Sequence, residues 1–404
     1  MFVGVRMGML TKPIPEPRRS PLVKPFVGKP PTMEELTAKL MAYAPRTYMR
    51  SEDGPYHAFK PHILDDLLPN FYKLEKFLNE SGVEFDRYRA LHAILCHDGL
   101  LAISPGPSGN IHSEHLAAEH YYNWLLDNGA PEEHARGVYY DVMGTNPMHD
   151  IVSKEGMILA ALDIGNVGGD YHAFRRRFLN IKAESEIAMG RERTLKEVAL
   201  GSLKFMPLFL RSIIEITPRA RTSKGASAWH IHALSNLSRL FAEALGGREK
   251  VEHIVQVGAA TNPWPGAEPL KENQLYVGID HDKVEVENAL AKVMGFQKES
   301  GGAGPAYVIP GEGNAMPVPD NFANKIIYRD VNHSVISHDE IDRVLAEKGR
   351  VHVEETRPKT EIKTKGRPSA ADVIESFRKK GFRVIDSESH ERMDGGYKLV
   401  FARK

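Results

Sequence analysis

Cysteine is almost missing from this 404-residue chain: Cys96 stands alone, which excludes an intramolecular disulfide and every cysteine-based zinc site. Such usage suits a reducing compartment, and a cytoplasmic protein is expected. Net charge is missing too. The 53 Lys+Arg balance 53 Asp+Glu, so no global field draws the chain to nucleic acid or to an anionic membrane. No run approaches the ~20 apolar residues that a membrane span needs; Lys204–Arg211 is short and interrupted by Pro207. Met1–Leu10 shows neither an h-region nor a small-residue cleavage site, so no signal peptide is expected.

What is present is an ordinary globular composition, 42% hydrophobic and 26% charged, on a chain long enough for two or three domains. Histidine is the oddity: 18 occur, ten of them clustered between Tyr56 and His172. Residues 1–34 read as an extended or disordered arm, rich in Pro and basic residues from residue 11 on. Thr32 before Met-Glu-Glu-Leu is a helix N-cap signal. Helical spacing then dominates to about Leu179: Ile63 to Leu78, Phe85 to His97, Ser113 to Asn128, Pro131 to Met143 and Met157 to Leu162. A helical connector follows, broken by the basic, turn-rich Thr217–Gly225. Beyond Trp229–Leu240, a further helix, the period changes. Short apolar runs at Val251–Val257, Leu275–Ile279, Lys325–Tyr328, Arg350–Glu354, Phe382–Ser387 and Lys398–Ala402 alternate with helices and end in a hairpin. That pattern implies a doubly wound, mostly parallel sheet with an antiparallel edge.

In the first half the chemistry-bearing residues are His57, His62, His97, Asp98 and Asp163. Each alone reads as an ordinary core or surface residue. Together, imidazole and carboxylate suit a divalent ion, and His97-Asp98 falls where a helix ends at Gly99, so both side chains can turn to one ion. Pro61 suits a first helical turn, placing His62 inside that helix and His57 in the loop before it. Tyr56-His57…His62, then Leu91-His-Ala-Ile-Leu-Cys-His97-Asp98, then Leu159-Ala-Ala-Leu-Asp163 resembles the HD superfamily of metal-dependent phosphohydrolases over about residues 50–180. The resemblance implies divalent-metal ligands at His62, His97, Asp98 and Asp163, with His57 nearby. In such proteins Glu114 or His115 would be a proton donor or second-metal ligand; the alternative is a plain helix-face pair of His115 with Glu119. His149-Asp150 is a second His-Asp pair, in a loop after Asn146-Pro147.

In the second half, Val251–Val257 runs into Gly258-Ala259-Ala260, a turn of little bulk at a strand's carboxyl end. Leu275–Ile279 ends in Asp280, placed as an acid that accepts from ribose hydroxyls. With Gly311–Asp320 and Ile341–Gly349, these resemble the class I S-adenosylmethionine-dependent methyltransferases across about residues 225–404. The resemblance implies that Val257, Gly258 and Ala259 cradle the cofactor, that Asp280 binds its ribose, and that Asn314 and Ala315 face its adenine. Asp330 and His333 are candidate general bases. Two departures stand out: the glycine-rich turn is reduced, and Asn314 occupies an acid's place.

The resulting expectation is a multidomain chain. An all-α HD-type domain over 35–182 and a connector over 183–224 precede a Rossmann-like methyltransferase-type domain over 225–404. It would be a two-domain enzyme with small-molecule substrates, combining methyl transfer with metal-dependent hydrolysis of a phosphate ester or nucleotide. Alternatives are a methyltransferase regulated by a non-catalytic HD sensor, or a binding protein with a degenerate cofactor fold. No membrane and no nucleic-acid partner is expected, and oligomeric state is not legible.

Overall fold

The structure, a computed structural model, describes residues 13–23, 25–48, 56–100, 113–146, 149, 151–210, 227–259, 263, 269–331, 336–355, 369–389 and 397–404. Contacts divide them into two units: residues 13–195, and residues 196–210 with 227–404. No helix among the described residues is long and apolar enough to cross a membrane.

Among the described residues of the first unit, the regular elements are all helices. Helix α1 (Met33–Tyr43) starts on a reciprocal capping box between Thr32 and Glu35. A π-helix (Phe59–Leu67) runs directly into α2 (Leu68–Glu80), followed by α3 (Arg87–Cys96), α4 (Ser113–Asp127), α5 (Glu132–Met143), α6 (Lys154–Asp163) and α7 (Tyr171–Met189). Every residue of α3 from Ala90 to Cys96 is buried, including His92. A helix apolar on all sides belongs at a domain's centre. His97 and Asp98 are thus delivered from the middle of the core, among Leu40, Phe71, Ile94, Tyr121 and Val138. Gly99 follows them because a Cβ there would lie 2.4 Å from the Tyr121 ring.

Of the arm, expected to be extended or disordered, the structure describes residues 13–23 and 25–34. Residues 13–23 are an extended strap: Ser20 N donates to Asn123 Oδ1 at 2.7 Å, Asn123 Nδ2 donates to Arg18 O, and Ile14 and Val23 pack on the helical core.

Beneath α3, the Arg89 guanidinium donates twice to the fully buried Asp141 carboxylate, at 2.7 Å each, and Ser153 donates to the same group. Burial raises the Asp141 carboxyl to about 6 against the pull of Arg89. Removing one partner of a buried pair strands the other. We expect Asp141→Ala to cost about 3–5 kcal/mol of the first unit's stability, read from its urea midpoint. An unchanged midpoint would show the pair to be dispensable.

The second unit opens with α8 (Leu195–Leu210), whose Leu203 carbonyl accepts from Tyr307 Oη at 3.2 Å. Residues 196–210, expected within a connector, therefore belong to this unit, and the division falls near residue 195 instead of 225. After α9 (Ala228–Leu245) come β1 (Glu252–Val257), β2 (Gln274–Asp280), α10 (Lys283–Ser300), β3 (Ala306–Pro310), β4 (Ala323–Arg329), α11 (His338–Val344), β5 (Leu345–Glu355), α12 (Ala370–Lys379), β6 (Phe382–Ser389) and β7 (Tyr397–Arg403). The sheet order is β3-β2-β1-β4-β5-β7-β6, parallel from β3 to β5, with β7 antiparallel to both neighbours. All seven residues of β2 are buried, as a strand covered on both faces requires. This is a mixed α/β, Rossmann-like fold, with the order reversing at β1 between β2 and β4.

His253 on β1 is buried. Its Nε2 lies 2.6 Å from Ser238 Oγ on α9, its ring packs on Phe322, and burial lowers its pKa to about 4. Neutral in the fold and ordinary (~6.5) when unfolded, it contributes stability that is complete above ~6.5 and lost as pH falls toward 4. We expect the second unit to lose about 2–3 kcal/mol over that window. His253→Gln should flatten this acid limb in urea titrations between pH 7 and 4.5; an identical limb in the variant would assign the loss elsewhere.

Candidate metal centre and cofactor crevice

The four residues expected as metal ligands converge. His62 comes from the π-helix, His97 and Asp98 from the end of α3, and Asp163 from the end of α6. One ligand atom from each lies within 4.8 Å of the others. His62 Nε2 is 3.1 Å from His97 Nε2, 2.9 Å from Asp98 Oδ2 and 3.6 Å from Asp163 Oδ1. His97 Nε2 is 3.0 Å from Asp98 Oδ2 and 3.8 Å from Asp163 Oδ1. A shell with bonds of ~2.0–2.2 Å has neighbouring ligands roughly 3.0–3.5 Å apart, so the set fits a small divalent ion. The tautomer also fits. His97 Nδ1 lies 2.9 Å from the Ile94 carbonyl and donates to it, which leaves the Nε2 lone pair facing the cluster. Electrostatics agree: burial opposes charge on His97, yet Asp98 and Asp163 outweigh it and raise its pKa well above the usual value. Burial likewise opposes charge on Asp98, but His97 and His62 hold it well below the carboxylate range. The cluster stabilises positive charge in its midst.

His57 sits in the turn before the π-helix, its ring 5.8 Å from that of His62. Glu184 of α7 orients it. One carboxylate oxygen accepts the backbone N–H of Tyr56 and His57 at 2.8 and 2.7 Å, and the other lies 2.5 Å from His57 Nδ1. Burial disfavours the imidazolium, but Glu184, with Asp98 and Asp163, more than compensates and raises its pKa. Sequence reading missed Glu184 because it lies 127 residues from His57 among other acids of a long helix. Asn166, three residues past Asp163, donates to Tyr56 Oη at 3.3 Å and ties the α6 end to the same turn.

Glu114 and His115 stand on α4 outside the four-residue group, and His115 Nε2 pairs with Glu119 Oε1 at 3.5 Å, half-exposed. The helix-face alternative describes His115. His149 is likewise outside the group, and Asp150 lies outside the described residues.

In the second unit the expected cofactor residues line the carboxyl ends of three adjacent parallel strands. Val257 ends β1, and Gly258 and Ala259 both donate to the Ile279 carbonyl, at 2.9 and 3.2 Å. Gly258 has φ +72°, and a Cβ there would lie 2.4 Å from Val331, so this one glycine is obligatory. Asp280 ends β2, with its Oδ1 3.3 Å from both Asp282 N and His281 Nδ1. Past β3, Ala315 N donates to Glu312 O in a turn that exposes Asn314 and buries Ala315. Arg343 of α11 clamps that turn, donating to the Met316 and Val318 carbonyls at 2.8 Å and to the buried Glu340. Asp330 follows β4 with φ +54°, its N–H donated to Glu354 O. His333 lies outside the described residues.

No protein-family model matches the chain, and no curated protein matches its sequence. Solved structures similar to part of it include an S-adenosylmethionine-dependent methyltransferase from Aquifex aeolicus, 20% identical over 41% of this chain and 92% of that one, with a TM-score of 0.30. Others are one from Methanosarcina mazei (11%, 38% and 93%, 0.31) and a TehB-like one from Corynebacterium glutamicum (12%, 41% and 86%, 0.28).

Proposed function

We propose that the first unit binds a divalent ion through His62, His97, Asp98 and Asp163 and hydrolyses a phosphate ester or nucleotide. The convergence of four buried or half-buried donors with ligand-shell spacings carries this reading. A bound ion would supply Lewis acidity toward a phosphate oxygen and toward water. The chain's own residues do the rest. Two carboxylates offset the ion's charge, and Ile94 fixes the tautomer of His97. Glu184 holds Nδ1 of His57, so the opposite nitrogen of that ring is the group that moves a proton at the reacting atoms. The test is phosphate release from nucleotide and aryl-phosphate panels by the metal-loaded full chain. Loss of turnover in His57→Ala with bound metal retained is the expected result; full turnover in that variant would refute the assignment.

For the second unit we infer S-adenosylmethionine binding and methyl transfer to a small molecule. The observation that favours this is the strand order, which reverses beside β1 and sets Gly258, Ala259, Asp280, Asn314 and Ala315 at or just past the carboxyl ends of three adjacent strands. Calorimetric titration of the full chain with the cofactor tests it, and absence of heat at high concentration would leave a cofactor fold without cofactor.

A further inference from the structure

The two imidazoles of the metal centre are not equally supported. His97 has its Nδ1 anchored on the Ile94 carbonyl. His62 turns Nε2 to the cluster, while its Nδ1 is buried without a hydrogen-bond partner. Four residues on, in the same π-helix, Asp66 is also buried, and its Oδ2 too lacks a partner. The other oxygen, Oδ1, is fully engaged: Asn70 Nδ2 donates to it at 3.0 Å and the Arg177 guanidinium donates to it as well. Those bonds hold the carboxylate in the core and leave Oδ2 over.

A buried polar atom without a partner costs about 1–3 kcal/mol. Here a ring nitrogen and a carboxylate oxygen are left over one turn apart, and an ion held at Nε2 makes that ring nitrogen, Nδ1, an N–H donor. π-Helices are rare and concentrate at functional sites. Ligating histidines commonly give their second N–H to a carboxylate, which sets the ring angle and raises its basicity.

We propose that Asp66 is the positioning residue of this centre: with a divalent ion at Nε2 of His62, Asp66 Oδ2 accepts the Nδ1–H of the same ring. Arg177 and Asn70 aim the carboxylate. The proposal rests on the metal-centre reading above.

The test uses the full chain, stripped with chelator and titrated with zinc against a chromophoric competitor. Asp66→Ala should bind zinc roughly 10–100-fold more weakly than the parent. Asp66→Asn, whose amide oxygen still accepts the bond, should recover most of that loss. In the zinc-loaded parent, nitrogen NMR should show a protected proton on His62 Nδ1 that disappears in Asp66→Ala. Equal affinity of parent and Asp66→Ala would overturn the proposal. So would a zinc-loaded parent without a protected proton on His62 Nδ1, because Asp66 would then act only through its ion pair with Arg177. A parent chain that binds no zinc would overturn the metal centre itself, a failure distinct from these.

Discussion

In Asp98→Ala, bound metal is expected to fall from about one ion per chain to none, the largest effect of any single substitution in this protein. Asp98 Oδ2 is the carboxylate oxygen closest to both imidazoles, at 2.9 and 3.0 Å, whereas Asp163 stands at 3.6 and 3.8 Å. Without it, two facing nitrogen donors and one more distant acid remain, too little charge to offset a divalent ion. Asp98→Asn, which keeps shape and removes charge, should show the same loss and so guards against a mere packing defect. Metal analysis after dialysis, with calorimetric melting alongside, reads the result. The second unit's transition should not move. Metal content equal to the parent's in both variants would remove Asp98 from the ligand set.

The second large effect is expected in the crevice. Asp280→Ala should weaken S-adenosylmethionine binding about ten- to hundredfold, since hydrogen bonds to a charged group are worth roughly 1.5–3 kcal/mol. The carboxylate ends β2, one strand from the Gly258 turn, where the ribose of a nucleotide cofactor is held in folds of this order. Asp280→Asn should retain part of the affinity. Calorimetric titrations of parent and variants decide it. A parent that binds and an Asp280→Ala variant that binds equally would place the ribose elsewhere.

Much of this architecture was legible in the sequence because burial patterns were strong. The six apolar runs from Val251 onward all became strands, and residues 390–396, outside the described residues, separate the last two, which form the antiparallel edge. The seventh strand, Ala306–Pro310, escaped: five residues between Gly304-Pro305 and Gly311 are too short to show a period, although Tyr307-Val-Ile carries strand propensity. The spacing of His57 and His62, with Pro61 between them, placed the first outside a helix and the second within it, as the π-helix from Phe59 shows. Its π geometry was not legible, because apolar spacing distinguishes helix from strand more readily than one helical pitch from another. Glu184, Asp66 and Arg177 were invisible for a different reason: each acts through a contact with a residue on another helix or through an atom that only the fold buries. The reach of α8 into the second unit was equally hidden. A helix's partner is decided by which face meets which core, and Leu203 meets Tyr307 across 104 residues.

The measurement that bears most directly on the metal centre is anomalous diffraction at the zinc and manganese edges from crystals of the full chain grown with each ion. The expected result is a peak about 2.0–2.2 Å from His62 Nε2, His97 Nε2, Asp98 Oδ2 and Asp163 Oδ1. Crystals that diffract well at both edges yet show no peak among these four atoms, or a peak bound elsewhere on the chain, would contradict it.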